Sequence, residues 1–404
     1  MEKPEPQRSP VPGQLPSMRT RGILRLLTVL LAAALCAGCW DYKEIDDQVI
    51  IAGTAIDYDP GSRGILLTTE IALPTSSEKE SSFESKIYQG RGQNILDAAV
   101  DLRAKAGRRL LWSHSKVLIL SRELMAERDL FIGILDWVKR NHQMRDTSWL
   151  LLSKERSAAA ILQQAAPQTE KITSYYLDHF FAMPQSEIFL SMTYSKFIAN
   201  LQSEGGCTAL PTARLANFSN GVLPFVDGTA LFLKTRPVGW LDGRQTRTLS
   251  LLLNKLGQAV LAPEPSEKQK LQTVSLKVSH CQTAIEPAFR RKKLIMTIRV
   301  KMTAAIGEID GAKDVFQPEK IKKVAAGAES VITARIHKLL ELLQGNYRCD
   351  ILGFGNQVAV KYPRLWLRLK RDWPNEFAKL PAVIRVKVDI DGSEQSMKET
   401  QEGQ

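Results

Sequence analysis

The sequence predicts an α+β protein of more than one domain, with mixed sheets carrying packed helices and a C-terminal antiparallel sheet covered by a long helix. Three observations carry this. The first half alternates short apolar runs with stretches of helical period. Residues 274–304 contain two stretches that alternate apolar and polar side chains with a period of two. Residues 318–344 hold an apolar stripe at helical spacing, which such a sheet face would bury. With 404 residues, 44% of them hydrophobic, the chain is long enough for two or three domains with substantial cores.

The elements follow in order. Val49–Ile56 reads as a strand that ends at the turn cluster Asp57-Tyr58-Asp59-Pro60-Gly61, and Ile65–Ile71 is its expected partner. Residues 74–86 are rich in serine and charge and are expected to form a mobile loop. Asn94 has the chemistry of an N-cap; Ile95, Ala98, Ala99 and Leu102 then recur at i, i+3, i+4, i+7, and Gly107 stops the pattern. Lys116–Leu120 is a short strand. Ser121 is expected to cap a helix with the core face Leu124, Phe131, Ile134, Leu135 and Val138. Ser148–Leu152 is a strand, Ser157–Gln164 a helix, and residues 170–203 are mostly helical. Gly205-Gly206 and Leu210-Pro211 mark a boundary.

In the second half, Gly228–Lys234 is a strand, Leu249–Leu253 a continuous apolar run, and residues 263–270 a loop. Val274, Leu276 and Val278, then Leu294, Met296, Ile298, Val300, Met302 and Ala304, face one way, with Thr297, Arg299, Lys301 and Thr303 opposite. That is an antiparallel sheet wet on one side. Pro318 suits a first helical position, and Gly345 is expected to end the helix in the left-handed region. Pro363 starts a short helix carrying Trp366, Leu369, Trp373 and Phe377; Val386, Val388 and Ile390 alternate in a last strand. The expected organisation is a signal peptide over residues 1–38, a mixed α/β domain over 39–215, an α+β domain over 222–392, and a polar tail over 393–404.

Catalytic patterns are scarce. There is no Walker loop, and Gly353-Phe354-Gly355 lacks the third glycine of a dinucleotide fingerprint; a tight turn with positive φ explains it. The five histidines, at 114, 142, 179, 280 and 337, show no metal-binding spacing. Ser113-x-x-Lys116 has the spacing of a penicillin-recognising nucleophile but enters a strand, and Ser76-x-x-Lys79 repeats the pattern in a serine-rich stretch. Cys207, Cys281 and Cys349 are widely spaced and odd in number, which predicts buried free thiols. No catalytic, cofactor-binding or metal-binding residue is predicted, and no enzyme. The chain carries +12; residues 1–38 account for +3 of it, leaving +9 from Cys39 onward. The dense basic runs, at 290–293 and 370–373, read as solvated faces and not as a nucleic-acid site.

The N-terminus is the most informative stretch. Arg19, Arg21 and Arg25 precede the apolar run Leu26–Leu35, followed by Ala37, Gly38 and Cys39. That is a secretory signal, too short to span a bilayer comfortably. Ala37-Gly38-Cys39 resembles a bacterial lipobox, with Cys36 and Leu35 at the two positions before it; Cys39 is the expected site of diacylglyceryl attachment. An ordinary signal peptide or a stem helix is the alternative. Met18 offers a second start site ahead of the signal. Trp40 and Tyr42, beside the anchor, are candidate interface or membrane-proximal residues.

Four stretches in order, CWDYKEIDDQVIIAGTAID, HSKVLILSREL, DGTALFLKTRPVGWLD and DILGFGNQVAVKYPRLWLRLKRDWPNEF, resemble the Ger(x)C family of spore-germination lipoproteins over nearly all of the chain from Cys39 to Asp391. The resemblance implies a non-enzymatic, lipid-anchored C subunit of a nutrient germinant receptor on the outer face of the spore inner membrane. It implies integral-membrane A and B subunits as partners and brings no catalytic residues. A solute-binding lipoprotein that delivers a ligand to a membrane transporter is the alternative, and it requires a concave pocket with convergent polar groups.

Overall fold

The computed structural model describes residues 22–23, 26–28, 47–77, 80–141, 143–164, 166–167, 170–183, 188–203, 206–219, 221–257, 259–262, 274–309 and 317–391. Two compact units are formed, Met1–Asp47 and Gln48–Gln404. In the first, Gly22, Ile23 and residues 26–28 are helical and exposed. The expected loop at 263–270 lies outside the described residues.

The second unit opens with β1 (Gln48–Asp59), whose β-branched run is buried on both faces. It pairs antiparallel with β2 (Gly64–Ser77), as the sequence predicts. The loop expected at 74–86 is not there: β2 runs on to Ser77 and forms a hairpin with β3 (Glu80–Gly92), in a register that extends from Ile65 opposite Gly92 to Ser77 opposite Glu80. β3 lies at the sheet edge, and Phe83, Glu84, Ser85 and Lys86 are exposed. A strand with so little to bury has no apolar alternation, so its backbone pairing leaves no trace in the sequence.

Helix α1 (Ile95–Ala106) follows, with the expected ends: the Asn94 side chain accepts from the Asp97 N–H, and Gly107 closes at φ 65°. β4 (Arg109–Leu111) and β5 (Val117–Leu120) both run parallel to β1. The Ser121 Oγ accepts from the Leu124 N–H at 3.4 Å, so it caps a 3-10 turn, and α2 (Arg128–Arg140) is a separate helix. β6 (Trp149–Ser153), α3 (Ala159–Gln163), α4 (Thr173–Ala182) and α5 (Tyr194–Leu201) then lead to β7 (Cys207–Phe218). β8 (Gly221–Leu233) and β9 (Arg236–Leu241) complete a nine-stranded sheet in the order β3-β2-β1-β5-β6-β7-β8-β9, with β4 beside β1. Leu210 and Pro211 lie inside β7, so this sheet continues through residues 210–211 and past 215.

Helix α6 (Gly243–Leu252) starts with a capping box between Asp242 and Gln245 and takes up most of the 249–253 apolar run. The second sheet has the order β10-β11-β12-β13. β10 (Ala259–Leu261), β11 (Val274–Arg290) and β12 (Lys293–Ile309) are antiparallel, whereas β13 (Ala382–Ile390) is parallel to β12. The parallel return follows from the long crossover between them. That crossover contains α7 (Pro318–Glu341), α8 (Phe354–Lys361), α9 (Pro363–Leu369) and α10 (Trp373–Lys379). The single short helix expected from Pro363 is α9 and α10, divided by a 3-10 turn at Lys370–Asp372.

Val324, Ala328, Val331, Ile332, Ile336, Leu339 and Leu340 of α7 share one buried cluster with Val278, Met296, Ile298, Val300, Met302 and Ala304. The stripe therefore covers the alternating strands, as predicted. The same cluster takes in Ala209, Leu231 and Leu241 of the first sheet, so the core is continuous between the two sheets. The end of α7 differs from expectation. Gly345 is not left-handed; the chain widens into a π-helical segment, Leu342–Tyr347, and Arg348 takes the left-handed position at φ 48°. Tertiary hydrogen bonds hold that segment. The Gln344 side-chain nitrogen donates to the carbonyls of Phe377 and Leu380 at 2.8 and 2.7 Å, and the Tyr347 hydroxyl donates to the Trp240 carbonyl at 3.1 Å.

Candidate functional site

Three buried carboxylates organise the second unit, each closing the N-terminal end of a helix, where backbone N–H groups lack intrahelical partners. Asp57, near the end of β1, accepts from the N–H groups of Ala158 and Ala159 at 2.6 and 3.0 Å and from the Ser157 hydroxyl at 3.1 Å, and so anchors α3. Burial raises its pKa, and those donors oppose the rise. Glu70 of β2 is fully buried. It accepts from the N–H groups of Thr173 and Ser174 at 2.8 and 2.7 Å and from the hydroxyls of Ser174 and Ser85 at 2.6 and 2.7 Å, fixing the start of α4. Sequence reasoning missed Glu70; its signal is a lone acid inside the otherwise uncharged run Leu66–Leu73.

Asp350 makes the third knot. Its carboxylate accepts from the Phe354 and Gly355 N–H groups at 2.8 and 2.7 Å and from the Trp373 indole N–H at 2.9 Å. Burial pushes its pKa up, against the pull of those donors. Trp366 and Trp373 meet edge to face at 4.9 Å, and Phe354 meets Phe377 at 5.6 Å. A Cβ on Gly355 would stand 2.8 Å from the Trp366 ring and 2.9 Å from the Trp373 nitrogen, so only glycine fits there. Gly353 has φ 74°, the positive φ expected of that turn. Asp350, Gly355, Trp366, Trp373 and Phe377, separated in the sequence, thus form a single packed joint.

These carboxylates are saturated with donors and sealed from solvent. They position helices and are not placed to exchange protons with a substrate. Lys116 of the Ser113-x-x-Lys116 pattern pairs with Asp178 at 3.0 Å, and Asp178 also accepts from the Trp149 indole N–H at 2.7 Å. That ammonium is therefore engaged in tying β5 and β6 to α4. Cys207, Cys281 and Cys349 are free thiols. Burial pushes Cys281 up to about 11, and the neighbouring Cys207 thiol and burial together push Cys349 up as well. Among the described residues, no group of three or more His, Cys, Asp and Glu could hold a metal ion. A cavity of about 30 Å³, lined by Leu251, Leu261, Val278, Met302 and Ile332 among others, has room for roughly one water. Among the described residues, no helix is long and apolar enough to cross a membrane. Cys39, Trp40 and Tyr42 lie outside the described residues.

The aromatic joint at Asp350 lies within a segment, residues 227–394, that matches the family described as spore germination B3/GerAC like, C-terminal. Residues 41–215 match the spore germination protein N-terminal domain. The chain belongs to the GerAC-like, or Ger(x)C, spore germination family. Among curated members of Bacillus subtilis strain 168, spore germination protein KC is 22% identical over 400 residues, covering 92% of this chain and 95% of that protein. Spore germination protein B3 is 22% identical over 378 residues, covering 90% of this chain and 95% of that one. The crystal structure of the GerBC protein superposes with a TM-score of 0.55 at 17% identity, covering 84% of this chain and 97% of that one. The α+β fold is thus the family fold.

Proposed function

We propose that this Ger(x)C-family chain is the lipid-anchored C subunit of a spore nutrient germinant receptor. In this reading it holds a complex with integral-membrane A and B subunits and turns over no substrate. The observation that carries the reading is the pairing of a family match across both halves of the chain with a cysteine directly after a signal-type apolar run. A diacylglyceryl group on Cys39 supplies two chains, and stable anchoring takes about two such signals. The sealed carboxylates support a structural role: they stabilise the scaffold and present no reactive group. The transporter-linked solute-binding alternative needs a pocket of roughly 300 Å³ or more with convergent polar groups. The cavity of about 30 Å³ is too small for a solute, and the open concavity of about 650 Å³ along α7 and β13, lined by Glu329, Ser330, Thr333, His337 and Arg385, is where that reading would have to place one. Mass spectrometry of the protein from native membranes tests the anchor. The expected species starts at a diacylglyceryl-modified Cys39; an unmodified Cys39 contradicts the reading.

A further inference from the structure

The β11–β12 hairpin turns through Arg291 and Lys292, with φ of 49° and 64°. Two consecutive left-handed residues make the tight turn that continues the twist of the strands. Glycine or asparagine usually occupies such positions, so two cations here carry a backbone cost with no return inside the fold. Arg290, Arg291, Lys292 and Lys293 are all exposed, and among the described residues none has a carboxylate within ion-pair distance. Phe289, at the base of this tip, is 53% exposed and meets the Tyr362 ring at 5.2 Å. Tyr362 is the corner between α8 and α9, so the tip stands beside that corner. The corner repeats the chemistry of the tip: Val360 and Leu367 are 83% and 60% exposed, and Lys361, Arg364 and Arg368 are exposed around them.

We propose that this end of the second sheet, with the hairpin tip 290–293, Phe289 and the α8–α9 corner, is a docking surface for an anionic lipid bilayer. Apolar side chains ringed by cations suit the headgroup region, where the apolar groups enter and the cations meet lipid phosphates. A protein partner would require a contiguous apolar centre with few charges, and this patch is mostly charge. The inference rests on the anchored reading for its setting. Residues 40–47 can extend at most about 30 Å, which keeps Gln48 within that distance of a lipid on Cys39. A cationic patch as a second membrane contact turns a point anchor into an oriented one.

The test uses the chain from Trp40 onward without acylation, so that its outcome is independent of lipid attachment. It is sedimented at low salt with vesicles of equal parts phosphatidylglycerol and phosphatidylcholine, and with phosphatidylcholine alone. The expected result is binding to the anionic vesicles only. Arg291→Gln with Lys292→Gln should lower partition roughly 25-fold, at about fivefold per cation lost. Arg128→Gln with Lys139→Gln on α2 makes the same change in net charge and should leave partition nearly unchanged. Phe289→Trp should add fluorescence that brominated lipid quenches. Failure of the parent chain to bind anionic vesicles, as for a surface that meets an acidic protein instead, overturns the proposal. Equal loss in the two double variants also overturns it, by reducing the effect to net charge.

Discussion

At the residue scale, Asp350 shows how a buried charge is maintained in this fold. Two backbone N–H groups and one indole N–H replace its water, and truncation leaves all three without an acceptor. Asp350→Ala is expected to cost about 3 kcal/mol, read as a shift in urea midpoint at unchanged slope; a shift within error contradicts the joint. The pH dependence has a definite sign. Burial raises the folded-state pKa above the ordinary 3.8, so the native chain holds this proton more tightly than the unfolded chain. The stability it contributes is full below that ordinary value and is lost as pH rises through the raised one. The wild type should therefore gain on Asp350→Asn as the pH is lowered from neutrality towards that ordinary value; a difference that moves the other way refutes the assignment. Little of this was legible in the sequence. The positive φ at Gly353 was, because glycine spacing reports backbone geometry. The acceptor role of Glu70 was not, because its donors at Thr173 and Ser174 lie about a hundred residues away.

At the element scale, the sequence succeeded where one face of an element is buried and the other wet. The 294–304 alternation and the α7 stripe both emerged as read, and they pack together. Ile332→Asp places an unpaired carboxylate in that cluster and should cost several kcal/mol; an unchanged melting temperature would contradict the packing. The sequence failed where an element is exposed, as in β3, or where tertiary contacts set its end. Gly345 looked like a left-handed stop, yet Gln344 and Tyr347 carry the helical path past it. A Cβ at Gly345 would meet nothing within 4 Å. Gly345→Ala should therefore stabilise the chain by about 0.5–1 kcal/mol, seen as a higher melting temperature. Destabilisation of that size would place Gly345 in the left-handed region after all.

At the scale of the whole molecule, two sheets share one continuous core within the second unit. Alternation predicted β11, β12 and β13 of the second sheet, and short apolar runs predicted β1, β2, β5, β6 and β8 of the first; the joining of their cores was invisible, since it depends on Ala209, Leu231 and Leu241 meeting residues far along the chain. Cys39→Ser should move the protein from the membrane fraction to the soluble fraction of spore lysates extracted in high salt, which screens the cationic patch; retention at the membrane there would mean that another segment or a membrane partner holds it. The central claim is a subunit that works by association. Affinity capture of the tagged chain from spore inner membranes in mild detergent tests it most directly. The account predicts recovery of two integral-membrane receptor subunits with it. Recovery of no membrane partner, together with tight binding of a nutrient by the protein alone, would contradict it.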